Sequence, residues 1–131
     1  GQHLLPLTLF ASERPPQKQT EDIIIAPWNI RLSTPEMRMI PGRYRIRVNA
    51  RGTEAFGSFA RLRLALNRSE EIVELGSLDR DYFMTVDIPK PGTYRLVLEF
   101  DNDAFDEAAQ KDRNVWINAV EIRTAHFSSS S

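Results

Sequence analysis

The chain contains no cysteine, and that single absence removes disulfides, thiolate zinc centres, iron–sulfur clusters and cysteine nucleophiles together. Histidine is almost as scarce. His3 and His126 lie near the two ends, where neither is set on a rigid element as a general base or triad member must be. Long apolar runs are missing too: the most hydrophobic stretches, residues 4–10 and 23–26, fall far short of the roughly 20 residues a spanning helix needs. No basic stretch precedes a long apolar one at the start, so no signal peptide is legible. Gly-x-Ser-x-Gly elbows and phosphate-binding glycine loops do not occur. Nor is charge of one sign in excess. A net charge of -1 gives no global pull toward nucleic acid or an anionic membrane, so electrostatic function has to come from local clustering.

What is present has the balance of one globular domain: 131 residues, 41% hydrophobic and 27% charged. The hydrophobic residues fall in short alternating runs broken by Gly, Pro and Asn, which predicts an all-β, jelly-roll-like antiparallel sandwich of about seven or more strands. Tyr44, Ile46, Val48 and Ala50 alternate with Arg43, Arg45, Arg47 and Asn49, giving one buried and one solvated face. Leu62, Leu64 and Leu66 repeat the pattern, with Glu71–Leu75 as their hairpin partner. Met84, Val86 and Ile88 form the next strand, stopped by Pro89-Lys90-Pro91-Gly92; Tyr94, Leu96, Leu98 and Phe100 another. Val115-Trp116-Ile117 with Val120 and Ile122 closes the sheet, and a further strand is expected at residues 20–25. Residues 1–19 read as an N-terminal edge strand or a linker, 20–125 as the sandwich, and 126–131 as a disordered tail. The core is expected to hold Tyr44, Ile46, Val48, Leu62, Leu64, Leu96 and Leu98, with Arg43, Arg45, Arg47, Arg61 and Arg63 lining one sheet face if their strands are neighbours.

The chemistry concentrates between the last two strands. Asp101, Asn102, Asp103, Asp106, Glu107 and Asp112 place five carboxylates and an amide within twelve residues, opposed nearby only by Lys111 and Arg113. Such a cluster repels itself unless solvent, arginines or a metal compensate it, and hard oxygen donors of this kind suit Ca²⁺. An EF-hand is excluded: counted from Asp101, the fifth and sixth positions hold Phe105 and Asp106 where that motif needs a ligand and a glycine. By its composition alone the loop is either solvated or metal-binding.

Three segments carry a likeness to a known family: residues 42–53, Ala60-Arg61-Leu62-Arg63-Leu64, and above all Phe100-Asp101-Asn102-Asp103 followed by Asp112-Arg113-Asn114-Val115-Trp116-Ile117. Together they resemble the Ca²⁺-dependent, xylan-binding carbohydrate-binding modules of family 60, over about 80 residues. The resemblance implies a β-sandwich whose acidic loops hold a Ca²⁺ that itself takes sugar hydroxyls, and it points to Asn102, Asp103, Asp112 and Asn114 as the metal-loop set. Phe105 and Phe56, with Asp106 and Glu54 beside them, are the candidate ligand contacts; Phe59 is comparable to Phe56 as platform or lid. A tryptophan within an apolar strand, as Trp116 is, belongs more often to the core than to a stacking platform.

These features imply a non-catalytic module that binds polysaccharide with Ca²⁺ as its cofactor, within a larger exported protein that is secreted, periplasmic or displayed at the cell surface. Its other domains are then its partners, with no nucleic acid and no membrane among them. The alternative is a structural or protein-interaction sandwich, in which Asn102 and Asn114 only turn the loop and Arg113 pairs with Asp103 or Glu121. Carboxylates clustered on one loop do not place an acid and a nucleophile on opposite sides of a glycosidic bond.

Overall fold

The computed structural model describes residues 2–125. Apart from one 3-10 turn at Leu7–Leu9, the regular elements among them are strands. In chain order these are β1 (Gln2–Leu4), β2 (Lys18–Gln19), β3 (Ile24–Ala26), β4 (Ile30–Ser33), β5 (Met37–Met39), β6 (Gly42–Gly52), β7 (Glu54–Ala55), β8 (Ser58–Phe59), β9 (Arg61–Leu66), β10 (Ser69–Glu74), β11 (Arg80–Ile88), β12 (Gly92–Tyr94), β13 (Leu96–Phe100), β14 (Phe105–Asp106), β15 (Lys111–Asp112) and β16 (Val115–Thr124). The larger sheet runs β11-β6-β16-β3-β2 with β1 also on β16, and the smaller runs β10-β9-β13-β4; all pairs are antiparallel.

Alternation builds the sandwich. In β6 and β9 every second residue is buried, and Tyr44, Ile46, Val48, Leu62, Leu64, Leu96 and Leu98 all lie in the one core that the two sheets share. Burying each such aliphatic chain is worth about 1.5–3 kcal/mol, which fixes the register because a slip by one residue would turn the whole set outward. β16 shows the exception that proves useful. Val115 and Ile117 face in, then a bulge at Asn118 shifts the phase by one so that Val120 and Ile122 face in. The Asn118 amide is held at the bulge by Asn49 Oδ1 (3.0 Å) and Asp79 Oδ1 (2.8 Å), which accept from its Nδ2.

Two expectations change. The single strand expected at 20–25 is a hairpin of β2 and β3, turned by a hydrogen bond from Thr20 N–H to Ile23 O at 2.9 Å. The five arginines do not share a face, because β6 belongs to one sheet and β9 to the other. Four of them are spent on acids of their own sheet: Arg43 on Asp87, Arg47 on Asp81 and Glu121, Arg61 on Asp101, and Arg63 on Glu70 and Glu99. Arg45 instead lies over the Phe83 ring, 3.9 Å from its centre.

The N-terminal stretch packs into the fold. Leu7 and Phe10 are buried, and the Gln19 side-chain amide donates to both of their carbonyls, at 2.9 and 2.8 Å. Along β16, the first half pairs with β3 and the last with β1, so residues 2–4 and 121–123 sit together at one end of the sandwich. The loops around Thr53 and Asn114 gather at the other end. His126 and residues 128–131 lie outside the described residues.

Candidate metal and carbohydrate site

Two small hairpins stand at that loop end, β7/β8 and β14/β15, and the chain that joins them to the sheets is tied by Thr53. Its N–H donates to Asn114 O at 3.1 Å, its hydroxyl donates to Asp112 O, and that hydroxyl accepts from Asn114 N–H at 2.8 Å. Gly52 makes the approach possible: a Cβ there would meet Asn114 O and the Ala60 Cβ, each at 3.1 Å. Arg113 then clamps the hairpins. Its guanidinium donates to Ser58 O (2.9 Å), Asn102 O (2.8 Å), Ala55 O (2.7 Å) and Ser58 Oγ (2.7 Å), so it braces loop backbone where a pairing with Asp103 or Glu121 was the simpler expectation. Glu121 is taken by Arg47. Sequence reasoning missed this role because three of the four acceptors are backbone oxygens, which no side-chain pattern reports.

The acidic run does not converge as a whole. Among the described residues no group of three or more acidic or histidine side chains is placed to hold a metal. Asp101 is bound by Arg61 at 3.0 Å, and Asp106 accepts the Ala109 N–H at 3.1 Å to turn the β14/β15 hairpin. Asn102 is committed to backbone, its Oδ1 accepting from Arg61 N–H (2.9 Å) and its Nδ2 donating to Phe59 O (3.1 Å). Asp103, Asp112 and Asn114 are left. Asp103 is positioned by its N–H, which donates to Asn29 Oδ1 at 2.8 Å. Its carboxyl is pushed above the usual carboxylate range, first by burial and then by the neighbouring Asp112 carboxylate, against the pull of the Ala104 N–H and of Arg113. A carboxyl raised by burial and by a neighbouring carboxylate is the electrostatic condition a metal relieves.

Asn114 is the third candidate donor. One terminal atom of its amide lies 3.0 Å from Arg113 O and 3.2 Å from Asp112 Oδ2. With nitrogen in that position it donates to both and satisfies them; turned over, the amide would present its oxygen to a cation instead. Paired carboxylates, an amide that can present its oxygen and adjacent loop carbonyls are hard donors, and they fit Ca²⁺ better than any soft or redox metal.

The expected ligand contacts divide. Glu54 and Asp112 line one shallow recess with Thr53, Phe59, Gln110 and Lys111. The Glu54 carboxylate is ion-paired to Lys111 at 2.5 Å. Phe105 is 53% exposed on β14, opposite Asp112. Phe56 is 64% exposed at the tip of the β7/β8 hairpin with a φ of 55°, a left-handed conformation that a phenylalanine adopts at a cost. Phe59, half-buried, is the aromatic that lines the recess. Trp116 is neither core nor open platform: it is half-buried on the outer face of the larger sheet, with the Arg51 guanidinium 4.0 Å over its ring.

Residues 45–131 match the model of the family described as CBM60, a Ca-dependent, xylan-binding carbohydrate-binding module. The chain belongs to that family. Its fold extends the agreement beyond the matched segment, since β1 to β4 complete both sheets of the carbohydrate-binding module. No curated protein matches it. Among solved structures, the CBM36-1 domain of a multidomain xylanase from the hindgut metagenome of Trinervitermes trinervoides superposes with a TM-score of 0.61 at 11% identity, over 97% of this chain and 100% of that one. A CBM35 from Cellvibrio japonicus gives 0.57 at 12%, over 96% and 95%. A family two carbohydrate esterase from Cellvibrio japonicus gives 0.60 at 9% and is covered over 34% of its length, so the module spans about a third of that enzyme. At these identities the superpositions establish the sandwich fold alone.

Proposed function

We propose that this carbohydrate-binding module holds polysaccharide, xylan in the first instance, through a Ca²⁺ bound by Asp103, Asp112 and Asn114, and that it does so without catalysis as part of an exported protein. The observation that carries the reading is the Asp103 carboxyl, raised by burial and by the nearby Asp112 carboxylate, beside the Asn114 amide that lies 3.2 Å from Asp112 Oδ2. Asn102, Arg113 and Thr53 are the bracing set: they hold the loop backbone so that the donors need not be ordered on binding. Bound Ca²⁺ would supply a site that exchanges water for vicinal hydroxyls, a geometry that selects a diol. Phe59 and the exposed Phe105 and Phe56 offer apolar faces beside it, and Asp106 and Glu54 are secondary contacts, since Asp106 turns the hairpin and Glu54 is paired with Lys111.

Calorimetric titration with xylo-oligosaccharides, with Ca²⁺ and with EDTA, tests this. Binding should vanish with EDTA and in Asp103→Ala and Asp112→Ala, while both variants melt cooperatively without metal. Phe105→Ala should weaken binding by the roughly 1–3 kcal/mol of a single aromatic stacking contact. Binding that survives EDTA and is lost in Phe105→Ala or Phe56→Ala would make the aromatic residues the anchor and the acidic loop a structural feature only.

A further inference from the structure

At the opposite end of the larger sheet, β6 and β16 set Arg45 directly opposite Arg123. Cross-strand neighbours stand about 4.5–5.5 Å apart at Cβ, and like charges placed there destabilise a sheet. Both side chains are exposed, and neither makes an ion pair among the described residues, although the other arginines of β6 are partnered: Arg43, Arg47 and Arg51 on Asp87, Asp81 and Asp79. Around them is an open recess whose lining includes Arg43, Glu71, Phe83 and Thr85. Thr85 stands beside Arg45 in register, and Phe83, 41% exposed, supports the Arg45 guanidinium from below. The charges can be followed one by one. Arg43 is neutralised by Asp87 at 2.8 Å, which leaves Arg45 and Arg123 against Glu71 and so one positive charge in excess.

We propose that this recess is a second subsite, independent of calcium, that takes the carboxylate of a uronic acid residue in an acidic polysaccharide. The proposal rests on the reading that the module binds polysaccharide, and extends it to the charge of the chain it grips. A single carboxylate completes the neutrality of the recess. It is planar and matches guanidinium donors in the forked geometry that such pairs favour. The Thr85 hydroxyl can donate to a ring or carboxylate oxygen, and the exposed part of Phe83 meets the apolar C–H face of a sugar. Like charges opposed across two strands oppose each other's placement, and a bound anion relieves that repulsion. The recess is also remote: Arg123 lies eight residue steps along β16 from Val115, which borders the proposed calcium loop, about 26 Å at 3.3 Å per residue. The two sites therefore act through different residues and fail separately.

The test is calorimetry in EDTA with three oligosaccharides of equal length: neutral, carrying one glucuronate, and carrying one sulfate ester. The uronate should bind at least tenfold more tightly than the neutral sugar and weaken as salt rises. Arg45→Gln and Arg123→Gln should each erase that preference, and Asp103→Ala should keep it. Equal binding of acidic and neutral sugars, or an unchanged preference in both arginine variants, overturns the proposal. Tighter binding of the sulfate ester overturns the assignment of the carboxylate. Arg123→Gln should also melt at the same or a higher temperature, since a like charge is removed; a clear fall would show that the arginine pair serves the fold, and would overturn the proposal. Neutral xylo-oligosaccharide with Ca²⁺ reports on the calcium loop alone, so failure there is read independently.

Discussion

Removing the Arg113 side chain puts the largest strain on the site, and its size can be worked from the contacts. Arg113→Ala deletes four hydrogen bonds from a charged donor, three of them to backbone carbonyls of separate loop segments. Bonds to charged groups are worth about 1.5–3 kcal/mol each, but the guanidinium is only partly buried. Water reaches some of the freed carbonyls, and the four losses are not additive, so a net cost of about 2–4 kcal/mol is expected. For a domain of this size that lowers the melting temperature by about 7–15 °C. Urea unfolding followed by Trp28 and Trp116 fluorescence would measure it, with the calcium-induced rise in melting temperature as a second readout, because the loops that carry Asp103 and Asp112 lose their common brace. Arg113→Lys should recover little: an ammonium is a point donor and cannot span acceptors on Ala55, Ser58 and Asn102 together. A loss below about 0.5 kcal/mol in Arg113→Ala, or full recovery by lysine, would refute the clamp.

Three further outcomes follow from the same geometry. Gly52→Ala should cost about 1–3 kcal/mol in urea unfolding, because the new methyl meets Asn114 O and the Cβ atoms of Ala60 and Leu75 at 3.1–3.2 Å. Phe56→Asn should raise stability by about 0.5–1 kcal/mol by relieving the left-handed phenylalanine at φ 55°, and should lower sugar affinity in the same preparation; stabilisation with unchanged affinity would remove Phe56 from the ligand contacts. The Asp81 carboxyl is held below its ordinary 3.8, first by the Asn49 amide and then by Arg47, so its contribution is present above that value and lost as pH falls through the lower folded pKa; Asp81→Asn should cost stability at pH 7, and that difference should close under acid unfolding once the pH falls below the ordinary carboxylate range.

Where alternation speaks for itself, the sequence is legible. β6, β9, β11 and β13 lie where the period-two pattern puts them, and the seven expected core residues are all buried. β4 and β5 went unread because each is short and lies close to Pro35 or Pro41, so neither accumulates enough alternation to stand out. β16 shows two patterns of opposite phase, and only the bulge at Asn118 explains why Val115, Ile117, Val120 and Ile122 can all face inward. The arginine face failed for a different reason: periodicity assigns a residue to a face of its strand but says nothing about which sheet the strand joins. In the loop, composition overcounts the free donors. Arg61 and the hairpin turn absorb Asp101 and Asp106, contacts made through tertiary structure and backbone that spacing does not encode.

The pairing of residues 2–4 with 121–123 has a practical corollary for anyone building with this module. Either end of the described chain leaves from the pole opposite Thr53 and Asn114, so a fluorescent protein, an affinity tag or a solid support attached there leaves the loops of Asp103 and Asp112 open to a fibre surface. The same attachment is not neutral for the whole molecule. Ala125, whose N–H donates to Arg43 O at 2.8 Å, lines the Arg45–Arg123 recess. A cargo fused directly after it, or directly ahead of β1, whose Gln2 is paired with Arg123, crowds that recess, whereas one carried on a long flexible spacer does not. Two fusions that look interchangeable on paper should thus report different affinities for charged sugars and the same affinity for neutral ones.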